Sequence, residues 1–358
     1  MKPNEPIESM LSRTAGWLAG KGPEAQIVLS SRIRLARNVH GYPFSHWASK
    51  DEAQAILKQI RKVIDKNAKT RNLIFFDSSE LSDLERMILL ERHLISREHA
   101  EGKENRAVAI SKDERVSIMI NEEDHLRIQV IYSGFQLINA WKHVQKIDDA
   151  MSKSVDFAFT GQFGFLTACP TNIGTGIRAS VMIHLPGLVI NRQIDQVLQA
   201  VSKLGLTVRG WYGEGSQASG NLFQISNQVT LGKKEEVIIE NLDKIIRQVI
   251  AHEKTARKLI SSKDANKIKD RIGRSFGSLK YAHMISSGET LDMLSMLRTG
   301  IELGLLMGVD SKIVNELFLL SQPAHVQMIA GKKLSQRERD IKRAELLRKI
   351  LKDQQLMD

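Results

Sequence analysis

VLSSRIRLAR, residues 28–37, holds three arginines in ten positions, and Arg32 and Arg34 stand only two apart. On a strand beginning at 27–29 both guanidinium groups leave the same face of a sheet. A fold keeps such a pair when it is solvated, when carboxylates balance it, or when a polyanion binds there. INEEDHLR, residues 120–127, sets Glu122, Glu123 and Asp124 in succession. Strand alternation would put Glu123, His125 and Arg127 on one face and Glu122 and Asp124 on the other, so that one of the adjacent glutamates meets a given site. An acidic hairpin turn in solvent is the plainer alternative. In TACPTNIGTGIRASVMIHLP, residues 167–186, a turn with the lone cysteine, Cys169, leads through Gly174 and Gly176 to Arg178. Glycines there permit positive φ and a close backbone approach to a ligand. TVRGWYGEGSQASGNLFQISN, residues 207–227, reads as a hairpin whose first strand ends in Arg209 and whose long Gly/Ser tip carries Glu214. Such a tip is either a lid or a connector.

These residues need a scaffold. Residues 24–255 alternate short β-rich runs with amphipathic stretches, which predicts an α+β domain around one sheet. RNLIFF, NRAVAIS, RVSIMIN and LRIQVIY read as strands; the last two, joined only by EEDH, form either a hairpin or one long bent strand, so the sheet is expected to be largely antiparallel. Helices fit 48–67, 79–100 with a Ser82/Glu85 capping box, 135–152, 191–204 and 234–262. Beyond 256 the strand signal disappears, giving a division into a leader, 1–23, a mixed domain, 24–255, and an all-helical domain, 256–358. Ser286 to Gly288 and Gly308 to Asp310 break its helices. In its last helix, RERDIKRAELLRKIL, Arg339 and Arg343 are four apart, Asp340 lies three before Arg343, and Ile341, Ala344, Leu347 and Leu351 make the expected buried stripe. On spacing alone this is an ordinary salt-bridged surface.

Composition narrows the classes. With 358 residues, 42% of them hydrophobic, the chain can fill one large core or two smaller ones. The opening lacks the apolar core of a signal peptide and no later run is a membrane span, so a cytoplasmic protein without a membrane partner is expected. One cysteine rules out an internal disulfide framework and argues against a cysteine-based structural zinc site. A net charge of +11 calls for acidic partners, while 5% aromatic residues argue against a base-stacking nucleic-acid platform. GxxxxGK[ST], HRD and DFG are all missing, so any ATP site follows another design.

Taken in order, SSRIRLAR, NEEDHLR, CPTNIGTGIRA and RGWYGE closely resemble the catalytic motifs of the phosphagen (ATP:guanidino) kinases, the family of arginine and creatine kinases. The resemblance covers about 24–255 and implies a phosphagen-kinase-like α+β fold with helices flanking a largely antiparallel sheet. By position it implies an ATP site from Ser30, Ser31, Arg32, Ile33, Arg34, His93, Arg127, Arg178, Ala179, Ser180, Val181, Met182, Arg209, Gly210, Trp211, Tyr212, Gly213 and Glu214, with Mg2+ held mainly by the nucleotide. It puts the acid/base glutamates at Glu123, its neighbour Glu122, and Glu214, and the reactive cysteine at Cys169. The chemistry agrees with that allocation. Phosphoryl transfer needs a preorganised positive clamp, whereas a guanidinium acceptor with a pKa near ~13.8 needs carboxylates to grip it and take its proton.

Three features depart from the small-molecule members. SSRIR begins at residue 30, so their helical N-terminal domain is not expected; Trp211 and Tyr212 sit between Gly210 and Gly213; and a helical domain follows. These departures resemble the family's bacterial protein-arginine kinases. That implies arginine-bearing protein substrates, an activator protein, a Clp-type protease, a stress response and a homodimer. RDIKRA also matches an element described there as binding phosphoarginine for regulation, which implies a pocket of Arg339, Asp340, Arg343 and Ala344. Two other functions compete: a kinase for free arginine or another small guanidine, and a non-catalytic adaptor that binds protein or nucleic acid.

Overall fold

The computed structural model describes residues 5–210, 219–263 and 265–355. Its strands are β1 (Val28–Arg37), β2 (Ile74–Asp77), β3 (Ala107–Ile110), β4 (Val116–Ile120), β5 (Leu126–Ser133), β6 (Phe159–Thr160), β7 (Gly164–Phe165), β8 (Ile177–His184), β9 (Leu206–Arg209) and β10 (Leu222–Asn227). Its helices are α1 (Glu5–Leu11), α2 (Lys50–Lys66), α3 (Asp83–Glu91), α4 (Arg97–Glu101), α5 (Leu137–Ser152), α6 (Pro186–Ile190), α7 (Ile194–Lys203), α8 (Glu235–Lys263), α9 (Ala265–Tyr281), α10 (Ser287–Glu302), α11 (Ser311–Leu320), α12 (Pro323–Ala330) and α13 (Gln336–Ile350). Eight strands form one sheet in the order β2-β3-β4-β5-β1-β8-β10-β9, and each of these pairings is antiparallel. The EEDH segment joins β4 to β5 as a hairpin, which decides between the two forms expected there.

Alternation along the central strands sorts the sheet into two faces. Ile33, Leu35, Ile128, Val130, Ala179, Val181 and Ile225 point to one side, where Ile56 and Ile60 of α2, Val144 and Ile147 of α5, and Leu242 and Ile246 of α8 cover them. The opposite face is divided. Leu29, Ile131, Met182 and Leu222 form an apolar half under Trp17, Leu291, Leu294, Leu317 and Phe318. The other half carries Arg32, Arg34, Arg127, Gln129, Arg178 and Gln224, and it lines a cleft. The helical segment therefore shares its core with the sheet face that bears the cleft, and Ser287 and Pro323 supply part of the cleft wall.

Two helix expectations need correction. The stretch 79–100 is two helices, since α3 ends at Glu91, His93 takes a left-handed φ of 58°, and Ser96 caps α4. The expected Ser82/Glu85 capping box is present at the start of α3. The predicted 191–204 helix begins at Ile194, and a short α6 led by Pro186 precedes it.

Candidate active site

The arginine face follows from strand register. Arg34 on β1 lies opposite Gln129 on β5 and Arg178 on β8, Arg32 lies opposite Ile131 and Ser180, and Arg209 on β9 lies opposite Gln224 on β10. Two of them reach neutral side chains on other strands of the sheet. Arg32 donates to Gln224 Oε1 (2.7 Å) and Ser180 Oγ (3.4 Å), and Arg178 donates to Ser226 Oγ (3.1 Å). Arg34 Nε is buried with no hydrogen-bond partner among the described residues. Burial, followed by Arg178, Arg127 and Arg209, pushes the Arg32 guanidinium down to about 10. Arg34 falls well below its ordinary value through burial, then Arg32, Arg127 and Arg178, with Glu122 opposing. Desolvated cations crowded in this way are costly unless an anion joins them. The cleft beside them, about 760 Å³, can admit one.

Across the cleft stands the acidic turn. The sequence expectation that Glu122 and Glu123 face opposite ways is corrected here, because residues 121–125 lie in the turn between β4 and β5 and strand alternation does not apply to them. Both carboxylates reach Arg127, Glu122 at 2.8 Å and Glu123 at 3.1 Å. Glu122 is 1% exposed and also accepts from Ser96 Oγ, whereas Glu123 is 31% exposed toward the cleft. Burial raises the Glu123 pKa, aided by Asp124, Glu122 and Glu98 and opposed by Arg127. A carboxylate held in that state binds a proton more tightly than usual, which suits a general base. Asp124 and His125 do other work. Asp124 accepts from Asn38 Nδ2 and Ala168 N, both at 2.7 Å, and His125 Nδ1 accepts from Val39 N at 3.0 Å, so the pair fixes the turn to the residues before Cys169 and after β1.

Cys169 is partly buried, lines the same cleft, and places Sγ 3.0 Å from Thr171 Oγ1 in a one-turn helix over Pro170–Asn172. The glycines that follow pack against protein. A Cβ on Gly174 would sit 2.7 Å from Thr230 O and one on Gly176 2.6 Å from Ala36 O, at φ of 106° and 63°. Both glycines thus allow a close approach of neighbouring backbone, and Gly176 lines the cleft as well.

Several residues assigned to the ATP site by resemblance fall elsewhere. Ile33, Ala179 and Val181 belong to the core on the far side of the sheet, and Ser31 Oγ donates to Gly134 O on that side, because each alternates with a cleft-facing neighbour. Ser30, Ser180 and Met182 meet at a small cavity with Trp17, Arg32 and Gln224 at one end of the arginine row, and His93 lines both that cavity and the cleft. Trp211, Tyr212, Gly213 and Glu214 lie outside the described residues; Gly210 precedes them directly. Gln224 and Ser226 were missed, although two polar residues at alternate positions of LFQISN signal a polar strand face.

The RDIKRA element is built differently from expectation. Arg343 is 1% exposed and donates to Ser321 O (2.7 Å), Ile285 O (2.8 Å) and Asp340 Oδ1 (2.5 Å). Arg339 donates to Leu334 O (2.9 Å), Ala344 is buried in the core, and Ile341, placed in the buried stripe by its spacing, is 44% exposed.

The relationships of the chain agree with this geometry. Residues 55–256 match the family described as ATP:guanido phosphotransferase, C-terminal catalytic domain, and residues 265–357 match the protein-arginine kinase McsB C-terminal domain. The chain belongs to the ATP:guanido phosphotransferases, whose fold it shares. A crystal structure of lombricine kinase superposes with a TM-score of 0.59 at 22% identity, covering 68% of this chain and 70% of that one. The duplicated taurocyamine kinase from Schistosoma mansoni with transition-state analog components gives 0.60 at 21% identity over 83% of this chain and 48% of that one. Sequence relatives are nearer. The protein-arginine kinase of Halothermothrix orenii is 49% identical over 332 residues, 93% of this chain and 95% of that protein. That of Bacillus pumilus is 47% identical over 348 residues, 97% and 95%. Within the phosphotransferases the chain falls in the protein-arginine kinase family, and it is an ATP-dependent phosphotransferase acting on arginine. Among the described residues no helix is long and apolar enough to cross a membrane.

Proposed function

We propose that the arginine face binds the phosphates of Mg-ATP and that the acidic turn receives an arginine side chain of a protein. The observation carrying this reading is the cluster of Arg32, Arg34 and Arg178, crowded on one sheet face with Arg34 Nε buried and without a hydrogen bond among the described residues, and lining one cleft with Glu122 and Glu123. Arginine forks suit the equatorial oxygens of a transferring phosphoryl group. Glu123 orients one guanidinium nitrogen and takes its proton as that nitrogen bonds to the γ-phosphorus and the bond to the bridging oxygen breaks, releasing ADP. Glu122, braced by Ser96 and Arg127, holds the charge of the acceptor; Glu214 and Cys169 complete its grip by resemblance. Mg2+ arrives on the nucleotide as part of the substrate.

The wider role follows the same resemblance: a cytoplasmic homodimer, working with an activator, that marks proteins for a Clp-type protease under stress. Arg339 and Asp340 are the more accessible part of a phosphoarginine pocket, since Arg343 is committed to carbonyl groups. The test is incubation with labelled ATP and either an unfolded protein or free arginine, followed by mass spectrometry without acid, because P–N bonds are acid-labile. Phosphate on protein arginines supports the reading. Label on free arginine alone would make this a small-molecule kinase, and no transfer to either would leave an adaptor.

A further inference from the structure

Buried polar side chains join the helical segment to the end of α3. Glu91, the last residue of α3, is 6% exposed and accepts from Ala324 N (2.7 Å), His325 N (3.1 Å) and His325 Nδ1 (2.7 Å). The two backbone groups are among those the first turn of α12 leaves without intrahelical partners. The other ring nitrogen, His325 Nε2, lies 3.4 Å from Arg92 Nη1. Arg92 is fully buried and is held by both oxygens of Glu114, at 2.7 and 2.8 Å, and by Arg13 O at 3.1 Å. A carboxylate only accepts and a guanidinium only donates, so these partners assign the proton of His325 to Nδ1 and the lone pair to Nε2. Burial outweighs the pull of Glu91 and keeps His325 below the ordinary imidazole range, consistent with that neutral form.

The residue after Arg92 is His93, which holds a left-handed φ of 58°. A non-glycine residue stays there when its surroundings over-determine it. His93 N donates to Leu90 O (2.9 Å), and its carbonyl accepts from Gln129 Nε2 (2.8 Å). Its ring meets Trp17 edge-on at 5.0 Å, while Trp17 Nε1 donates to Arg92 O at 3.2 Å. The ring lines the cleft, and burial with Arg32 and Arg34 pushes its pKa down to about 3. The pocket behind the ring, shared with Arg32 and Trp17, holds only about 10 Å³ and is too small for a base, whereas on the cleft side Met87, Leu90, Ile95 and Pro323 line the same space as the ring and give it an apolar wall that suits a nucleobase better than a phosphate.

We propose that Glu91 and His325 are positioning residues that hold His93 against the nucleotide base, so that the helical segment sets ATP affinity through this joint. The proposal rests on reading the cleft as the nucleotide site. The sheet's arginines grip the phosphates independently of the joint, so its loss weakens a nucleoside triphosphate and spares a bare polyphosphate.

The test compares full-length wild type, His325→Leu, His325→Gln and Arg34→Ala in steady-state kinetics with a protein acceptor, together with inhibition by inorganic tripolyphosphate. His325→Leu should raise the KM for ATP about tenfold, the scale of one buried charge-assisted hydrogen bond. The kcat, the acceptor KM and the tripolyphosphate inhibition should stay near wild type. Glutamine, whose amide can donate to Glu91 and accept from Arg92, should restore most of the affinity. An unmoved ATP KM in His325→Leu, or equal weakening of ATP and tripolyphosphate, would reduce the joint to ordinary packing. Should His325→Leu not fold, Glu91→Gln carries the same comparison. If Arg34→Ala leaves ATP affinity unchanged, the nucleotide reading itself has failed; if Arg34→Ala weakens ATP and His325→Leu does not, only the joint is refuted.

Discussion

Two groups of arginines in this chain look alike as sequence and differ as structure. Arg32 and Arg34 on β1 stand beside Arg178 on β8; Arg32 donates to an amide and a hydroxyl oxygen, Arg178 to a hydroxyl, and Arg34 Nε is left without a hydrogen bond among the described residues. Arg343 on α13 is buried more completely, yet two carbonyl oxygens and the carboxylate of Asp340 surround it. On the proposed reading the first group is a cost that a bound polyanion would relieve; the second is a bolt fixing α13 to the α9–α10 connection and to the end of α11. Counting acceptors around each guanidinium, rather than counting arginines, separates a binding site from a structural contact.

The contrast can be broken in several ways, beginning where the effect is largest. Glu123→Gln removes the acceptor-side base and leaves the clamp intact, so kcat should fall about 10²–10⁴-fold while the ATP Kd, measured by titration calorimetry, barely moves. Near wild-type turnover would remove Glu123 from the chemistry. Arg178→Lys keeps the charge but loses the fork, and single-turnover rates should drop roughly 10²-fold; full activity would mean that Arg178 supplies only a long-range field. On the structural side, Arg343→Met strands the carbonyls of Ser321 and Ile285, and urea unfolding should show a loss of about 3 kcal/mol. A neutral result would place Arg343 with the ligand-binding group instead.

The acidity of Glu123 sharpens the picture with a smaller effect. Its pKa is raised, chiefly by burial, and its active form is the carboxylate, so activity is present above that pKa and lost as pH falls through it. The acid limb of kcat/KM should therefore lie above the ~4.3 of an ordinary glutamate. A limb at or below that value would contradict the assignment. Arg339→Ala should change basal transfer least, since its guanidinium donates to Leu334 O and neither residue lines the cleft, yet it should blunt any response of initial rates to added phosphoarginine.

Much of this was legible in the chain because strand alternation is a strict rule. The period of two placed Arg32 and Arg34 together, and the antiparallel sheet and helical C-terminal segment followed from patterning. The rule failed where the backbone leaves the strand. Glu122 and Glu123 converge on Arg127 because the turn reverses direction between them and β5, and no spacing encodes that reversal. Motif resemblance had a different blind spot, since SSRIR and RASVM are contiguous words whose alternate letters, Ser31, Ile33, Ala179 and Val181, face away from the cleft. The commitment of Arg343 to Ser321 O and Ile285 O depends on backbone carbonyls brought in by tertiary packing, which carry no residue-type signal.

The central claim is that the cleft arginines are held at a cost that nucleotide relieves. Thermal melting of wild type and Arg34→Met, each with and without Mg-ATP, tests it most directly. Removing a desolvated charge with an unsatisfied Nε should raise the melting temperature of the free protein by a few degrees and abolish the upward shift that Mg-ATP gives wild type. A lower melting temperature in Arg34→Met, with the nucleotide shift retained, would show that Arg34 is a structural residue and that the phosphates bind elsewhere.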